Sequence, residues 1–157
     1  MIKIICNKSE VLPKVINYPD GTFKIDLYLH EGASPWKIIW KYENETELIQ
    51  LMYITRHLKN HGYTNIDLVM PYLPNARMDR VKDSTEVFTL KWFCDIINSL
   101  GFDRVEVLDV HSSVGEALID RISVKTPENY IRQAMETAGI SKSNDLIFFP
   151  DEGSCKR

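Results

Sequence analysis

Apolar positions along the chain alternate between a spacing of two and a spacing near 3.6, so strands and helices should follow one another. MIKIIC, residues 1–6, reads as a buried strand. After the turn signal Pro19-Asp20-Gly21, TFKIDLYLH and WKIIWKY read as two further strands, and Phe23, Ile25, Leu27 and Leu29 fit a half-exposed pair. These segments predict a β-hairpin near residues 22-42. From Asn44 to about His61 the set Leu48, Leu51, Met52, Ile54 and Leu58 has helical spacing, with Glu45 and Glu47 in the first turn and Gly62 after the end. NIDLVMPY then reads as a fully buried strand, followed by the loop PYLPNARMDR, residues 71–80.

A second helix is predicted from about Ser84 to Leu100. Val87, Leu90, Cys94 and Ile97 make its stripe, Asp83 and Glu86 have capping-box spacing, and Gly101 supplies a stop. RVEVLDVH reads as a strand, SSVGEALID as a short segment, Pro127 to Ala138 as a helix and DLIFFP as a last strand. Strands alternating with helices of this length predict an α/β fold with a doubly wound, mostly parallel sheet.

Such sheets bind ligands at the carboxyl ends of their strands. Three strands here end in polar clusters: PYLPNARMDR, LDVHSS and FFPDEGSCKR. Arg77, Asp79 and Arg80 offer planar guanidinium forks suited to phosphate oxygens, yet a solvated loop whose Asp pairs with one Arg reads equally well. Asp109 and His111 sit two apart and can point to one side, although a histidine there is as often a satisfied hydrogen-bonding residue. Asp151 and Glu152, before Gly153, suit a cation, a sugar hydroxyl or a helix cap. Tyr18-Pro19-Asp20-Gly21 needs no role beyond its turn.

Composition narrows the field. The 157 residues suit one domain, and 44% hydrophobic with 26% charged residues is the balance of an ordinary globular protein. A net charge of −3 leaves no basic footprint for nucleic acid or an anionic membrane, so any phosphate site must be local. No apolar run approaches the length of a membrane span, and no signal peptide is visible. The three cysteines are widely spaced without a CxxC pair, which suits reduced thiols and a cytoplasmic setting. Neither GxxxxGK[ST] nor GxGxxG is present, so nucleotide phosphates would have to be held by arginine and a metal.

Together, PYLPNARMDR, LDVHSS and FPDEGSCKR, preceded by NYPDGT and NETELIQL, resemble the amino-terminal half of ribose-phosphate pyrophosphokinase, also called phosphoribosyl pyrophosphate synthetase. The resemblance runs over nearly the whole chain and implies a sheet of the phosphoribosyltransferase-like type. It implies that residues 1-157 are the amino-terminal ATP-binding domain of a two-domain synthetase whose second domain is absent from this chain. The parent would transfer the diphosphoryl group of ATP to ribose 5-phosphate with Mg²⁺, as a cytoplasmic homo-oligomer. By the same resemblance Arg77 binds ATP phosphates, and Tyr18 and Asp20 hold adenine across a subunit boundary. His111 is a metal-ATP ligand, and Asp151 serves the metal and the ribose-phosphate side.

The chain departs from the family at Met78, where Gln is usual, at Val81, where Lys is usual, and at Thr22, where a carboxylate is usual. The usual double glycine after Asp151 is Gly153-Ser154. Met78 cannot donate a hydrogen bond, which should weaken or rearrange nucleotide contacts. The isolated chain is expected to be inactive because the second domain's anion nest for the sugar phosphate is absent from it; the competing expectation, at which Met78 and Thr22 hint, is a non-catalytic synthetase-associated regulatory or assembly protein.

Overall fold

The computed structural model describes residues 1–29, 35–140, 148, 149 and 153. The chain divides into two compact units, Met1–Val124 and Lys125–Arg157.

In the first unit β1 (Ile2–Cys6), β2 (Ser9–Val11), β5 (Trp36–Trp40), β6 (Ile66–Met70), β7 (Arg104–Leu108) and β8 (Ile122–Lys125) form a six-stranded sheet in the order β2-β1-β5-β6-β7-β8. β5 pairs parallel with β6, and β6 parallel with β7. β1 pairs antiparallel with both β2 and β5. The parallel core is built by α1 (Glu45–Asn60) between β5 and β6 and by α2 (Thr89–Ser99) between β6 and β7, the crossover that parallel neighbours require. α3 (Ser113–Leu118) lies between β7 and β8.

Burial follows the pleat. Ile2, Ile4 and Cys6 of β1, Trp36, Ile38 and Trp40 of β5, and Ile66, Leu68 and Met70 of β6 are buried, while the residues between them are half-buried. β6 thus alternates and is not buried on both faces. Its intermediate Asp67 holds Arg104 of β7 at 2.7 Å. Leu48, Leu51, Ile54 and Leu58 of α1, with Leu90, Phe93, Cys94 and Ile97 of α2, complete the core.

α1 begins where expected because Asn44 caps it, its side chain accepting from the Glu47 amide. α2 begins at Thr89, not near Ser84. The Asp83 carboxylate is occupied in a local turn, accepting from the Thr85 amide at 2.8 Å and from its hydroxyl, while Glu86 reaches back to the Lys82 amide at 2.9 Å. These bonds close a turn ahead of the helix and leave Val87 exposed.

A hairpin forms, but not between the two segments expected to pair. β4 (Phe23–Asp26) pairs antiparallel with β3 (Lys14–Asn17) in a separate two-stranded sheet, whereas β5 lies in the main sheet. The turn between them is tight: the Tyr18 amide donates to Thr22 O at 2.8 Å, the Gly21 amide to Tyr18 O at 3.1 Å, and Gly21 has φ +86°. Lys14–Asn17 is the nearer partner in sequence and costs less loop entropy to close.

The second unit holds α4 (Glu128–Thr137), close to the expected Pro127–Ala138. The expected strand DLIFFP and the candidate residues Asp151 and Glu152 lie outside the described residues, apart from Phe148 and Phe149 of that strand, which are in neither helix nor strand.

Candidate functional site

Because β6 and β7 run parallel in direct register, from Asp67 opposite Arg104 to Met70 opposite Val107, their carboxyl ends share one rim. The 71–80 loop leaves β6 there, and Asp109 to Ser112 leaves β7.

The 71–80 loop is anchored by what it buries. Leu73, Pro74 and Ala76 are buried, whereas Arg77, Met78 and Arg80 are exposed. Asn75 takes φ +60°, a left-handed conformation that Asn tolerates better than most residues, and its carbonyl accepts from the Met78 amide at 2.9 Å. The turn therefore drives Ala76 inward and lifts both arginines outward. Gly115 of α3 leaves room for this: a Cβ there would stand 2.8 Å from Leu73 Cδ2 and 3.0 Å from Val110 Cγ1.

The cleft that results has a volume of about 350 Å³ and is lined, among the described residues, by Arg77, Met78, Arg80, Lys82, Glu86 and Val87. Three cations against one carboxylate give it a net positive lining, open and polar. Sequence reasoning singled out Arg77 and Arg80 and missed Lys82, whose only signal is its place two residues beyond Arg80.

Asp79 does not behave as the expected partner of a neighbouring arginine. Its carboxylate is 19% exposed and lies 4.0 Å from His111 Nδ1, joining the ends of β6 and β7. Asp109, two residues earlier, takes φ +48°, a conformation that costs a non-glycine residue about 1–2 kcal/mol and concentrates at functional sites.

Among the described residues no three His, Cys, Asp or Glu side chains gather into a metal cage. Asp79 and His111 offer two ligands. Of these, the carboxylate is the kind of ligand Mg²⁺ takes, whereas imidazole is not its usual choice.

Tyr18 and Asp20 sit on the β3–β4 turn, and neither lines the cleft of Arg77. Tyr18 is 46% exposed. Asp20 Oδ1 accepts from the Thr22 amide at 2.9 Å and from the Thr22 hydroxyl at 2.7 Å, which hold its carboxyl below the usual range. The structure therefore brings Arg77, Asp79 and His111 to one rim and leaves Tyr18 and Asp20 on a separate projecting turn.

Residues 36–101 match the family model described as the N-terminal domain of ribose phosphate pyrophosphokinase. The chain is 24% identical to the ribose-phosphate pyrophosphokinase of Mycoplasma genitalium over 157 residues, covering 99% of this chain and 45% of that protein. It is 30% identical to the ribose-phosphate pyrophosphokinase of Mycoplasma pneumoniae over 111 residues, 70% of this chain and 34% of that protein. The fold is similar to that of phosphoribosylpyrophosphate synthetase from Mycobacterium smegmatis, with a TM-score of 0.69 at 14% identity, over 81% of this chain and 44% of that one. The chain spans less than half the length of these relatives. The resemblance read from the strand ends is borne out: this chain is like the amino-terminal domain of ribose-phosphate pyrophosphokinase in family model, in relatives and in fold.

Proposed function

We propose that these residues are the ATP-binding part of a ribose-phosphate diphosphokinase, which moves the diphosphoryl group of ATP to ribose 5-phosphate and releases AMP. The observation that carries the reading is the cleft of Arg77, Arg80 and Lys82 beside the Asp79–His111 pair, at the carboxyl rim of parallel strands. Arg77 holds the nucleotide phosphates, and Arg80 and Lys82 extend the cationic wall. His111, with Asp79 beside it, would hold Mg²⁺, and the resemblance alone assigns Asp151, outside the described residues, to the same ion; when bound, the ion would neutralise charge on the phosphate oxygens. Catalysis of this kind is mostly positioning and charge neutralisation, so the chain's part is to fix the phosphate chain in place.

Tyr18 stacks on adenine and Asp20 accepts from it, serving the cleft of a neighbouring copy in a homo-oligomer. That reading is supported by their place on a turn that does not line the cleft of the same chain. The 157 residues alone bind MgATP without turnover, because their sequence contains no Thr-Gly-Gly-Thr loop to gather amide donors around a sugar phosphate.

Titrating MgATP into the chain and into Arg77→Ala tests the reading: affinity should fall about tenfold, near 1.4 kcal/mol. One observation favours a second reading, a non-catalytic synthetase-associated protein. Met78, which donates no hydrogen bond, lines the cleft. Under that reading the titration gives the same weak or absent binding for both chains.

A further inference from the structure

We propose that His57 and His61, on the last turn of α1, form a binding site for a borderline divalent cation of the zinc, nickel and copper class. The site is separate from the nucleotide cleft and rests on none of its residues. The four-residue spacing puts both rings on one face of the helix end. Their centroids are 4.4 Å apart, with planes at 57°.

His61 Nδ1 lies 2.9 Å from the His57 carbonyl oxygen. A carbonyl only accepts, so Nδ1 carries the proton and donates, and the lone pair of His61 stands on Nε2. This is the arrangement by which a backbone carbonyl fixes the tautomer of a metal-ligating imidazole. His57 borders a cleft of about 220 Å³ with Phe23, Ile25, Leu27, Tyr53 and Ile54.

Two imidazoles select against Mg²⁺ and Ca²⁺, which prefer oxygen, and favour the zinc to copper end of the divalent series. With only two protein ligands, a tetrahedral ion keeps two positions for water or an outside donor, so the site is open rather than structural. The structural alternative is that His61 merely closes the helix end, where its amide already bonds the carbonyls of His57 and Leu58.

The test is calorimetric titration of Zn²⁺ and of Ni²⁺ into the chain carrying His111→Ala, so that the imidazole beside Asp79 does not contribute. The expected result is one saturable site, with affinity at least about tenfold weaker in either His57→Gln or His61→Gln. Zn²⁺ should also raise the melting temperature of the parent and not of the double variant. Circular dichroism and unchanged MgATP binding by His57→Gln/His61→Gln in the His111-containing chain would establish that the fold and the nucleotide cleft are intact. Unchanged metal affinity in the double variant, or no saturable binding below about 1 mM in the parent, overturns the proposal.

Discussion

His111 Nδ1, three residues past the end of β7, lies 4.0 Å from Oδ2 of Asp79, nine residues past the end of β6. The contact ties two separate strand ends together, yet His111 is 47% exposed, so water screens most of its energy. Asp79→Asn should therefore change unfolding free energy by less than about 1 kcal/mol. If the pair faces nucleotide phosphate and its metal, the same substitution should weaken MgATP binding about tenfold. Paired denaturation and binding curves check both. A large loss of stability with unchanged binding would make Asp79 a structural residue only.

The guanidinium fork is the reason to expect Arg77 to be hard to replace. Arg77→Lys keeps the charge but loses bidentate geometry, so it should recover only part of the affinity lost in Arg77→Ala. Hydrogen bonds to charged groups are worth about 1.5–3 kcal/mol, which sets the alanine loss at about 10- to 150-fold if phosphate contacts are direct. Equal affinity of the lysine variant and the wild type would mean that the site reads charge and not shape.

Gly115 is needed for space, not for backbone freedom. A Cβ would meet the side chains of Leu73, which is 2% exposed, and Val110. Gly115→Ala should cost about 1–3 kcal/mol by overpacking. It should also weaken MgATP binding, because Leu73 anchors the loop that carries Arg77. Thermal melting and nucleotide titration of the one variant measure both effects.

The elements legible in the sequence are those whose pattern and ends agree. Asn44, Glu47 and the leucine stripe fix α1 within a residue, and the apolar runs locate β1, β6 and β7. The β3 partner of the hairpin was not legible because Lys14-Val15-Ile16-Asn17 is short and mostly unburied, so no alternation marks it. The β8 strand, four residues with none buried, gave as little signal. The start of α2 was misread because Asp83 and Glu86, which look like a capping box, close a turn instead. At the site, guanidinium and imidazole were legible from their places at strand ends. The partner of Asp79 was not, since proximity across two loops depends on strand register.

Glu47 gives the fold an acid limit. Its side chain accepts from Trp40 Nε1 at 3.0 Å, from the Glu43 amide at 3.0 Å and from the Met1 ammonium. Burial is the largest single influence and pushes its carboxyl up, but the bonds from the Met1 ammonium, Trp40 and Glu43 together outweigh it and leave the group below its ordinary 4.5. A carboxyl lowered on folding adds stability that is complete above its unfolded value and disappears as pH falls through the folded value. The wild type should therefore lose stability below about pH 4.5. Glu47→Gln should be less stable at pH 7 by about 1.5–3 kcal/mol and show a flatter acid limb. Chemical denaturation from pH 7 to pH 3 resolves the two slopes.

The hairpin that carries Tyr18 and Asp20 is joined to α1 through Phe23 and Tyr53, whose ring centroids are 5.8 Å apart. Ile25, Leu27, Tyr53 and Ile54 line the adjoining cleft. Tyr53 is 56% exposed, so Tyr53→Ala removes a ring pair worth about 0.5–1.5 kcal/mol and little else. That is small against the main sheet but large for a two-stranded ribbon, which is marginal alone. Amide exchange should therefore accelerate in Lys14–Asn17 and Phe23–Asp26 and stay unchanged in Ile66–Met70. In a synthetase built from these residues the same substitution should weaken adenine nucleotides while sparing inorganic phosphate, because it loosens Tyr18 and Asp20 and leaves Arg77 in place. Equal weakening of both ligands would show that the hairpin supports the cleft itself, and not only the base.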